Sequence, residues 1–254
     1  MTERLTKGRL KVSISDTRRE LGEVAAAEIA GYLNELLASK EEVNIVFASA
    51  PSQNDFLECL NTYDIDWSRV NAFHMDEYIG IAPHAPQSFG EFLRARIFSK
   101  HRFKSVNYID SLADPEAECK RYGDLLHAFP IDIVFLGIGE NGHLAFNNPC
   151  DAFFDDPLTM KTVDLDTMCI QQQINDGCFA RIEDVPTRAF TITIPELLFV
   201  KKLYAIVPTI NKANAIKGTC DGPIVSACPA SILRTHRDCT LFVDKDSASL
   251  VSRP

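Results

Sequence analysis

The sequence predicts an α/β protein with a mostly parallel, doubly wound sheet of the modified Rossmann-like type and helices on both faces. Apolar strand segments alternate with helical segments almost throughout the chain. These strand segments are continuously apolar, which is typical of strands that are buried on both faces. No repeat, low-complexity segment or linker divides residues 1–254, so we expect a single domain.

The elements follow one another in a regular order. A strand at 9–14 precedes a helix at about 17–39, where Thr17 and Glu20 have capping-box spacing. Further strands are predicted at 43–49, 70–75, 106–109, 131–136, 158–165, 189–194, 202–208 and 239–244. Further helices are predicted to begin near Ser52 or Asn54 and at about Ser88, and to occupy 114–127, 195–200, 211–218 and 246–252. Residues 139–157 are predicted to be loop.

Composition and charge exclude several classes of function. The 254 residues carry a net charge of −9, which argues against a nucleic-acid partner because phosphate backbones bind clustered Lys and Arg. No signal-peptide segment opens the sequence and no uncharged run reaches 18 residues, so we expect no membrane contact and a cytoplasmic location. The eight cysteines form no C-x-x-C pair and the six histidines are dispersed, so we expect reduced thiols and no metal site.

Three predicted strands end in unusual residues. ASAPSQN follows VNIVF, HMDEY follows VNAF, and GIGENGH follows IDIVFL. Ligands of doubly wound sheets bind beyond the carboxyl ends of the strands. We therefore expect these three segments to share one site.

The segment GIGENGHLAFNNP at 137–149 has the G-x-G-x-x-G spacing of a dinucleotide-binding loop. Such a loop needs a helix after the glycines, and Pro149 comes before any long helix could form. A second interpretation is a tight glycine turn. A third is a loop that presents His143, oriented by a polar neighbour, for proton transfer near neutral pH.

Asp76 and Glu77 close the strand at 70–75. Adjacent acidic residues at a strand end are commonly solvated or capping, but Asp76 would be a carboxylate base if it faced His143 from the neighbouring strand end. Such a pair suits proton abstraction next to a carbonyl. His74, on the strand itself, is expected to pack or to support the site from behind.

The ASAPSQND segment contains small residues and hydroxyls between a strand and a helix. Backbone N–H groups of Ser49, Ala50 and Ser52 would favour an anion such as a sugar phosphate, although an ordinary helix cap would look the same. Lys212, at the start of a later helix, would add a cation or would be a surface lysine.

Five segments together resemble, in the right order, the glucosamine-6-phosphate deaminase/isomerase family, whose fold is shared with 6-phosphogluconolactonases. They are FHMDEYIGI (73–81), LGIGENGHLAFNNP (136–149), VPTRAFTITI (185–194), NKANAIKG (211–218) and PASILRTH (229–236). The similarity extends from about residue 9 to residue 245.

The resemblance implies an amino-sugar-phosphate deaminase that needs no metal or organic cofactor. His143, helped by Asn141 and Asn148, would open the pyranose ring, and Asp76 would take the C2 proton to give an enolamine. Reprotonation at C1 and hydrolysis of the imine would release ammonia and leave fructose 6-phosphate. The resemblance implies that a small phosphorylated sugar is the ligand, and a homo-oligomer is left open. The residues expected to bind the substrate are Ser49, Ala50, Ser52, Gly139, Gly142 and Lys212.

Three positions depart from the family pattern. Asn148 stands where a glutamate is usual, and ASAPS replaces a glycine-rich phosphate loop such as T-G-G-T-P. Gly177 replaces an expected phosphate-binding arginine, with Arg181 close by. These changes fit a divergent branch that acts on another amino sugar phosphate or binds phosphate more weakly.

Two other functions remain as alternatives to the deaminase. Lactone hydrolysis would use the same fold, but lactonases resemble D-E-R and G-H-x-A-S-L-F-P, whereas this chain has Asp76-Glu77-Tyr78 and a phenylalanine and asparagine after His143. A non-catalytic sugar-phosphate sensor usually carries a helix-turn-helix domain, for which the chain has no room. The Asn148 change keeps a binding-only protein open.

Overall fold

The computed structural model describes residues 2–165, 167–175 and 177–253. The strands of this part of the chain are β1 Glu3–Lys7, β2 Leu10–Ser15, β3 Val43–Phe47, β4 Val70–His74, β5 Asp76–Tyr78, β6 Ser105–Asn107, β7 Ile133–Leu136, β8 Met160–Asp164, β9 Arg188–Ile192, β10 Lys202–Val207 and β11 Cys239–Asp244. The α-helices are α1 Arg18–Ser39, α2 Asn54–Leu60, α3 Phe89–Leu93, α4 Pro115–Ala128, α5 Thr167–Asn175, α6 Ile194–Leu198 and α7 Ala213–Asp221.

Eight of these strands form the main sheet, in the order β1-β2-β11-β10-β7-β3-β4-β6. All neighbouring pairs are parallel except β1 and β2, which form an antiparallel hairpin at one edge. The predicted mostly parallel α/β sheet is therefore confirmed. The extent of one domain over 1–254 stays a prediction.

The direction of winding reverses between β3 and β7. From β3 the chain proceeds through β4 to β6 on one side, and from β7 it proceeds through β10 to β11 on the other. The loops that follow β3 and β7 therefore separate in opposite directions and leave a crevice at the carboxyl edge, where ligands of such sheets bind.

Side chains of each central strand alternate between two cores. In β3, Ile45 and Phe47 belong to the core that includes α1 and α2, whereas Val46 belongs to the core that includes α4 and α6. Because both faces are covered, the strand is apolar at nearly every position. No helix within the described ranges combines the length and the apolar character needed to cross a bilayer.

The start of α1 agrees with its sequence signal. Thr17 is the N-cap, and its hydroxyl accepts a hydrogen bond from the backbone N–H of Glu20 at 3.1 Å. The Glu20 carboxylate accepts from the backbone N–H of Asp16 at 2.8 Å, one residue before the position that a standard capping box uses. The side chains of Thr17 and Glu20 thus both accept hydrogen bonds from backbone N–H groups at the start of α1.

A second, small sheet was not expected. β5, β9 and β8 pair antiparallel in that order, so the predicted strands at 158–165 and 189–194 lie outside the parallel sheet. The β5 strand immediately follows β4 but pairs with β9, more than 100 residues away along the chain. Pairing over such a distance leaves no local pattern in the sequence.

Other expectations about single elements need correction. The helix predicted at 246–252 is wrong, because residues 245–250 form successive turns, with N–H groups of Ser249 and Val251 bonded to carbonyls three residues earlier. Asp244 caps these turns by accepting from the backbone N–H of Ser247 at 2.8 Å. The edge strand β1 and the helix α5 were not predicted.

Tyr122 joins α4 to the end of β4 by hydrogen bonds. Its fully buried hydroxyl accepts from the backbone N–H of His74 at 3.0 Å and donates to the His74 carbonyl at 2.9 Å. The carbonyl of Asn107 on β6 lies 3.2 Å from the same oxygen. One phenol therefore satisfies backbone groups at the strand end from which β5 departs.

We expect Tyr122→Phe to destabilise the fold by about 1–3 kcal/mol, because it leaves buried backbone groups of His74 without their partner. Denaturant unfolding measures this loss. The exposed Tyr63 provides the control, since Tyr63→Phe should change the free energy of unfolding by less than about 0.5 kcal/mol. Equal stability of the two variants would contradict this role of Tyr122.

Candidate active site

A cavity opens at the carboxyl edge of the sheet, over the crevice between β3 and β7. Its walls come from the segments that follow β2, β3, β4, β7, β8 and β10, and from α3. The predicted site residues that line it are Ser49, Ala50, Ser52, Asp76, Gly139, His143 and Lys212. Asn141, Gly142 and Asn148 are not among the lining residues.

Asp76 and His143 reach this cavity from strands that are not neighbours. β3 lies between β4, which precedes Asp76, and β7, which precedes the His143 loop. We expected Asp76 to face His143 from the adjacent strand end. This expectation is wrong, because the two strands are not adjacent. The intervening β3 end places the 49–52 segment against the same cavity.

The His143 imidazole is held in one tautomer by Asn141. The Asn141 Oδ1 atom accepts from the backbone N–H of His143 at 3.0 Å and lies 2.9 Å from its Nδ1 atom. Because the amide oxygen can only accept, Nδ1 carries the proton and Nε2 keeps its lone pair. The ring is thus prepared to accept a proton at Nε2.

Asn148 orients the side chain of Asn141 by a hydrogen bond. Asn141 Nδ2 donates to Asn148 Oδ1 at 3.4 Å, and Asn148 is completely buried. Burial, and after it the positive charge of Lys212, lowers the pKa of His143 to about 3. The amide pair orients the imidazole but offers no negative charge to stabilise its protonated form.

Two glycines shape this loop for different reasons. A Cβ atom on Gly139 would lie 2.1–2.3 Å from three atoms of the His143 ring, so only glycine allows the imidazole to lie there. Gly142 has a φ of +86°, and a Cβ atom on it would lie 2.8 Å from the Cys228 sulfur. We therefore assign Gly142 to the turn and Gly139 to the cavity wall.

Asp76 is a buried carboxyl group. Burial, and after it the charge of Glu77, raises the pKa of Asp76 well above its ordinary value of 3.8. Its Oδ1 atom has no hydrogen-bond partner among the described residues. Glu77 differs, because its carboxylate accepts from Ser88 Oγ at 2.7 Å and from three backbone N–H groups. The two adjacent acids therefore have separate roles, one facing the cavity and one capping α3.

His74 lies beneath Asp76, as the sequence suggested for a supporting residue. Its Nε2 atom accepts from the backbone N–H of Ile109 at 3.0 Å, so Nδ1 carries the proton and donates to the Asp76 carbonyl at 2.9 Å. Burial lowers the pKa of His74 to about 4. A neutral imidazole thus fixes the backbone that carries the candidate base.

A second group of the lining residues suits an anion. Ser49 Oγ is buried and has no hydrogen-bond partner among the described residues, and Ser52 Oγ accepts from Gln53 Nε2 at 3.0 Å. Lys212 is buried and lines the same cavity. Hydroxyl groups and a cation therefore lie together, as the anion-site hypothesis requires.

Sequence reasoning missed Arg18, which also lines the cavity. It lies three residues after β2, at the carboxyl edge shared by the parallel strands, and this position was its only sequence signal. Gln173 and Cys178 line the wall near Gly177. Arg181 lies elsewhere, exposed and paired with Asp184 at 2.7 Å, so it does not replace the expected arginine in this cavity.

Metal ligands are not clustered in the part of the chain that the structure describes. No three His, Cys, Asp or Glu side chains there lie close enough together to hold an ion.

Comparison with known proteins agrees with this geometry. A sequence profile for glucosamine-6-phosphate isomerases/6-phosphogluconolactonase matches residues 16–242. The chain belongs to this family. The resemblance inferred from the five sequence segments is therefore confirmed.

Individual members of the family show how close the similarity is. A glucosamine-6-phosphate deaminase of Listeria monocytogenes is 41% identical over 189 residues, which cover 74% of this chain and 79% of that protein. Another, from Exiguobacterium sibiricum, is 36% identical over 86% of this chain and 85% of its own length.

Solved structures of the family superpose over nearly the whole chain. A monomeric glucosamine-6-phosphate deaminase gives a TM-score of 0.85 at 29% identity, covering 94% of this chain and 99% of that one. A 6-phosphogluconolactonase from Thermotoga maritima gives 0.75 at 18% identity, covering 93% and 99%. The second likeness shows a shared fold only.

We expect Gly139→Ala to displace the His143 imidazole, because the added Cβ atom would overlap the ring. Overpacking of this kind costs about 1–3 kcal/mol of stability. Nitrogen NMR of the histidine side chains would detect the loss of the Nδ1 hydrogen bond to Asn141.

The matched control is Gly31→Ala on α1, where no atom lies within 4 Å of the added Cβ atom. This change should be neutral or stabilise by up to about 1 kcal/mol. An unchanged His143 signal in the Gly139 variant would show that the ring does not depend on the glycine.

Proposed function

We propose that this protein is a glucosamine-6-phosphate deaminase. One observation carries the proposal: a buried Asp76 carboxyl group and a neutral His143 line the same cavity as Lys212 and the 49–52 hydroxyls. A proton donor-acceptor pair and a candidate anion site in one cavity match an amino sugar that carries a phosphate. The identity to curated deaminases supports the same activity.

Ring opening would be the first step. His143 Nε2 takes the proton of the C1 hydroxyl and returns a proton to the ring oxygen as the C1–O5 bond breaks, which gives the open-chain aldehyde. Asn141 keeps the proton on Nδ1, so the ring presents the correct nitrogen throughout. Asn148 orients Asn141 and contacts no part of the cavity.

Isomerisation would follow at C2. The ionised Asp76 takes the C2 proton, the electron pair moves through C1 to the aldehyde oxygen, and this oxygen takes a proton from the substrate's ammonium group, so that an enolamine forms. Asp76 can return the proton at C1, which leaves an imine at C2. Water adds to this imine, the C–N bond breaks, and ammonia and fructose 6-phosphate leave. Burial suits Asp76 to this exchange, because a raised pKa makes the carboxylate a stronger base.

The direct test incubates the pure protein with a panel of hexosamine 6-phosphates and measures ammonia and ketose phosphate. We expect glucosamine 6-phosphate to give both products in equal amounts. Hydrolysis of a 6-phosphogluconolactone without ammonia release would favour the lactonase instead. Binding of the sugar phosphates without any turnover would favour a sensor.

We place the activity in the cytoplasm. Free thiols, which are typical of a reducing compartment, are present at Cys59, Cys119, Cys220, Cys228 and Cys239. Cys169 lies outside the described side chains. A homo-oligomer stays a prediction, and light scattering of the purified protein would test it.

We expect Asp76→Asn to lower kcat by about 10²–10⁴, because a positioned base typically contributes that much to proton transfer. KM for glucosamine 6-phosphate should change little. Kinetics measured on the folded variant, and loss of C2 proton exchange with solvent, would check this.

The pH dependence provides the control. The base is active as a carboxylate, so kcat/KM should fall as the pH falls through the raised pKa of Asp76. The acid limb should therefore lie above the range of an ordinary aspartate. Near-normal turnover of the Asn variant would remove Asp76 from the mechanism.

We expect Asn148→Glu to speed the reaction of the cyclic sugar phosphate. A carboxylate at this position would accept from Asn141 and stabilise the protonated imidazole, which raises the pKa of His143. The same change should do little for a substrate supplied in open-chain form. Steady-state rates on both forms, with NMR titration of His143, measure the effect.

Asn148→Gln is the matched control, since it has the length of glutamate without the charge. It should leave the pKa of His143 where it is and give no increase in rate. If the Glu variant slows both forms of the substrate, the asparagine is adapted to a different sugar.

A further inference from the structure

Arg18 clamps the turn that follows β3. Its Nη2 atom donates to the Pro51 carbonyl at 2.6 Å, and its Nε atom donates to Asp55 Oδ2 at 2.5 Å. Pro51 lies within the segment that we assign to the anion, and Asp55 lies in the first turn of α2. The guanidinium group is thus held rigidly beside that segment.

The hydrogen bonds to Pro51 and Asp55 leave some N–H groups of this guanidinium group without a protein partner. Its Nη1 atom has no hydrogen-bond partner among the described residues, and the side chain lines the cavity while remaining 36% exposed. An arginine carries five donors in a planar fork, so two remain on Nη1 and one on Nη2. They are available to a ligand on the cavity side.

Without Arg18, the candidate anion site would have a single cation. A sugar phosphate carries a charge of about −1.5 to −2 at neutral pH, whereas Lys212 supplies one positive charge. The Arg181 guanidinium, whose charge could have served, is paired with Asp184 outside the cavity. Arg18 is the other cationic side chain among the described residues that line this cavity.

We propose that Arg18 binds the phosphate of the substrate together with Lys212 and the 49–52 hydroxyls, and so determines the preference for phosphorylated sugars. This inference rests on the proposed function. Asp55 positions the guanidinium group through Nε and leaves Nη1 to donate to a phosphate oxygen. The phosphate would thus be held by segments that follow β2, β3 and β10, three strands that are not neighbours in the sheet.

The test measures binding of glucitol 6-phosphate, an inert probe that cannot react, by calorimetry. Arg18→Met should weaken it by about ten- to hundredfold, the usual effect of losing a charge-assisted hydrogen bond. Lys212→Ala should give a similar loss. Unphosphorylated glucitol should bind equally to all variants.

Arg19→Met is the matched control, because Arg19 is the adjacent arginine, is exposed and does not line the cavity. It should change the affinity by less than about twofold. Asp55→Asn separates a phosphate contact from a purely structural role. It removes the opposing charge but leaves Nη2 bonded to Pro51, so it should bind the probe as tightly as the wild type or more tightly.

Two results would overturn the proposal. One is an affinity of Arg18→Met within about twofold of the wild type. The other is an equal loss in Asp55→Asn, which would mean that Arg18 only holds the turn. If Arg18→Met does not fold, the double variant Arg18→Gln/Asp55→Asn restores a neutral hydrogen-bonding pair, and its retained affinity would overturn the proposal.

Turnover separates this inference from the proposed function. Wild-type protein that binds the probe but releases no ammonia from glucosamine 6-phosphate would contradict the deaminase while the Arg18 comparison still decides the phosphate contact. If the wild-type protein turns over glucosamine 6-phosphate and Arg18→Met has the same KM as the wild type, only the Arg18 contact is contradicted.

Discussion

The site depends on the reversal of winding between β3 and β7. Because the chain leaves these neighbouring strands in opposite directions, the loops after them separate, and a cavity forms at the carboxyl edge. The starts of the two loops still lie near each other, since a Cβ atom on Gly137 would be 3.6 Å from Ser52 Oγ. The 49–52 segment and the histidine loop therefore share one cavity although some 85 residues separate them in the chain.

Two kinds of polar side chain line this cavity. Burial keeps His143 neutral and raises the pKa of Asp76, so these two groups can exchange protons without a permanent charge. The same cavity is lined by the cations of Arg18 and Lys212, which in the proposed function would attract the phosphate and orient the sugar. An ammonium group on the substrate would bring a positive charge near Asp76 and favour its ionised form. Substrate binding would then help to prepare the base.

The amide pair behind His143 sets this protein apart from the pattern expected for its family. Asn141 and Asn148 fix the tautomer by hydrogen bonds, which need correct geometry but no charge. Orientation and basicity of the imidazole are therefore separate properties in this site. A shared fold decides neither, since the family also includes 6-phosphogluconolactonases of similar architecture. The side chains that meet in the cavity determine the chemistry.

The sequence by itself determined the alternating elements, the parallel sheet and the segments that form the site, because apolar periodicity, caps and the short motifs are local. Tertiary structure alone decided the antiparallel pairing of β5 with β9, the position of β3 between the strands that precede Asp76 and His143, and the burial that shifts both pKa values. It also brought Arg18 to the cavity and left Arg181 outside it. These features depend on strand order and on contacts between distant residues, which leave no periodic or local signal in the chain.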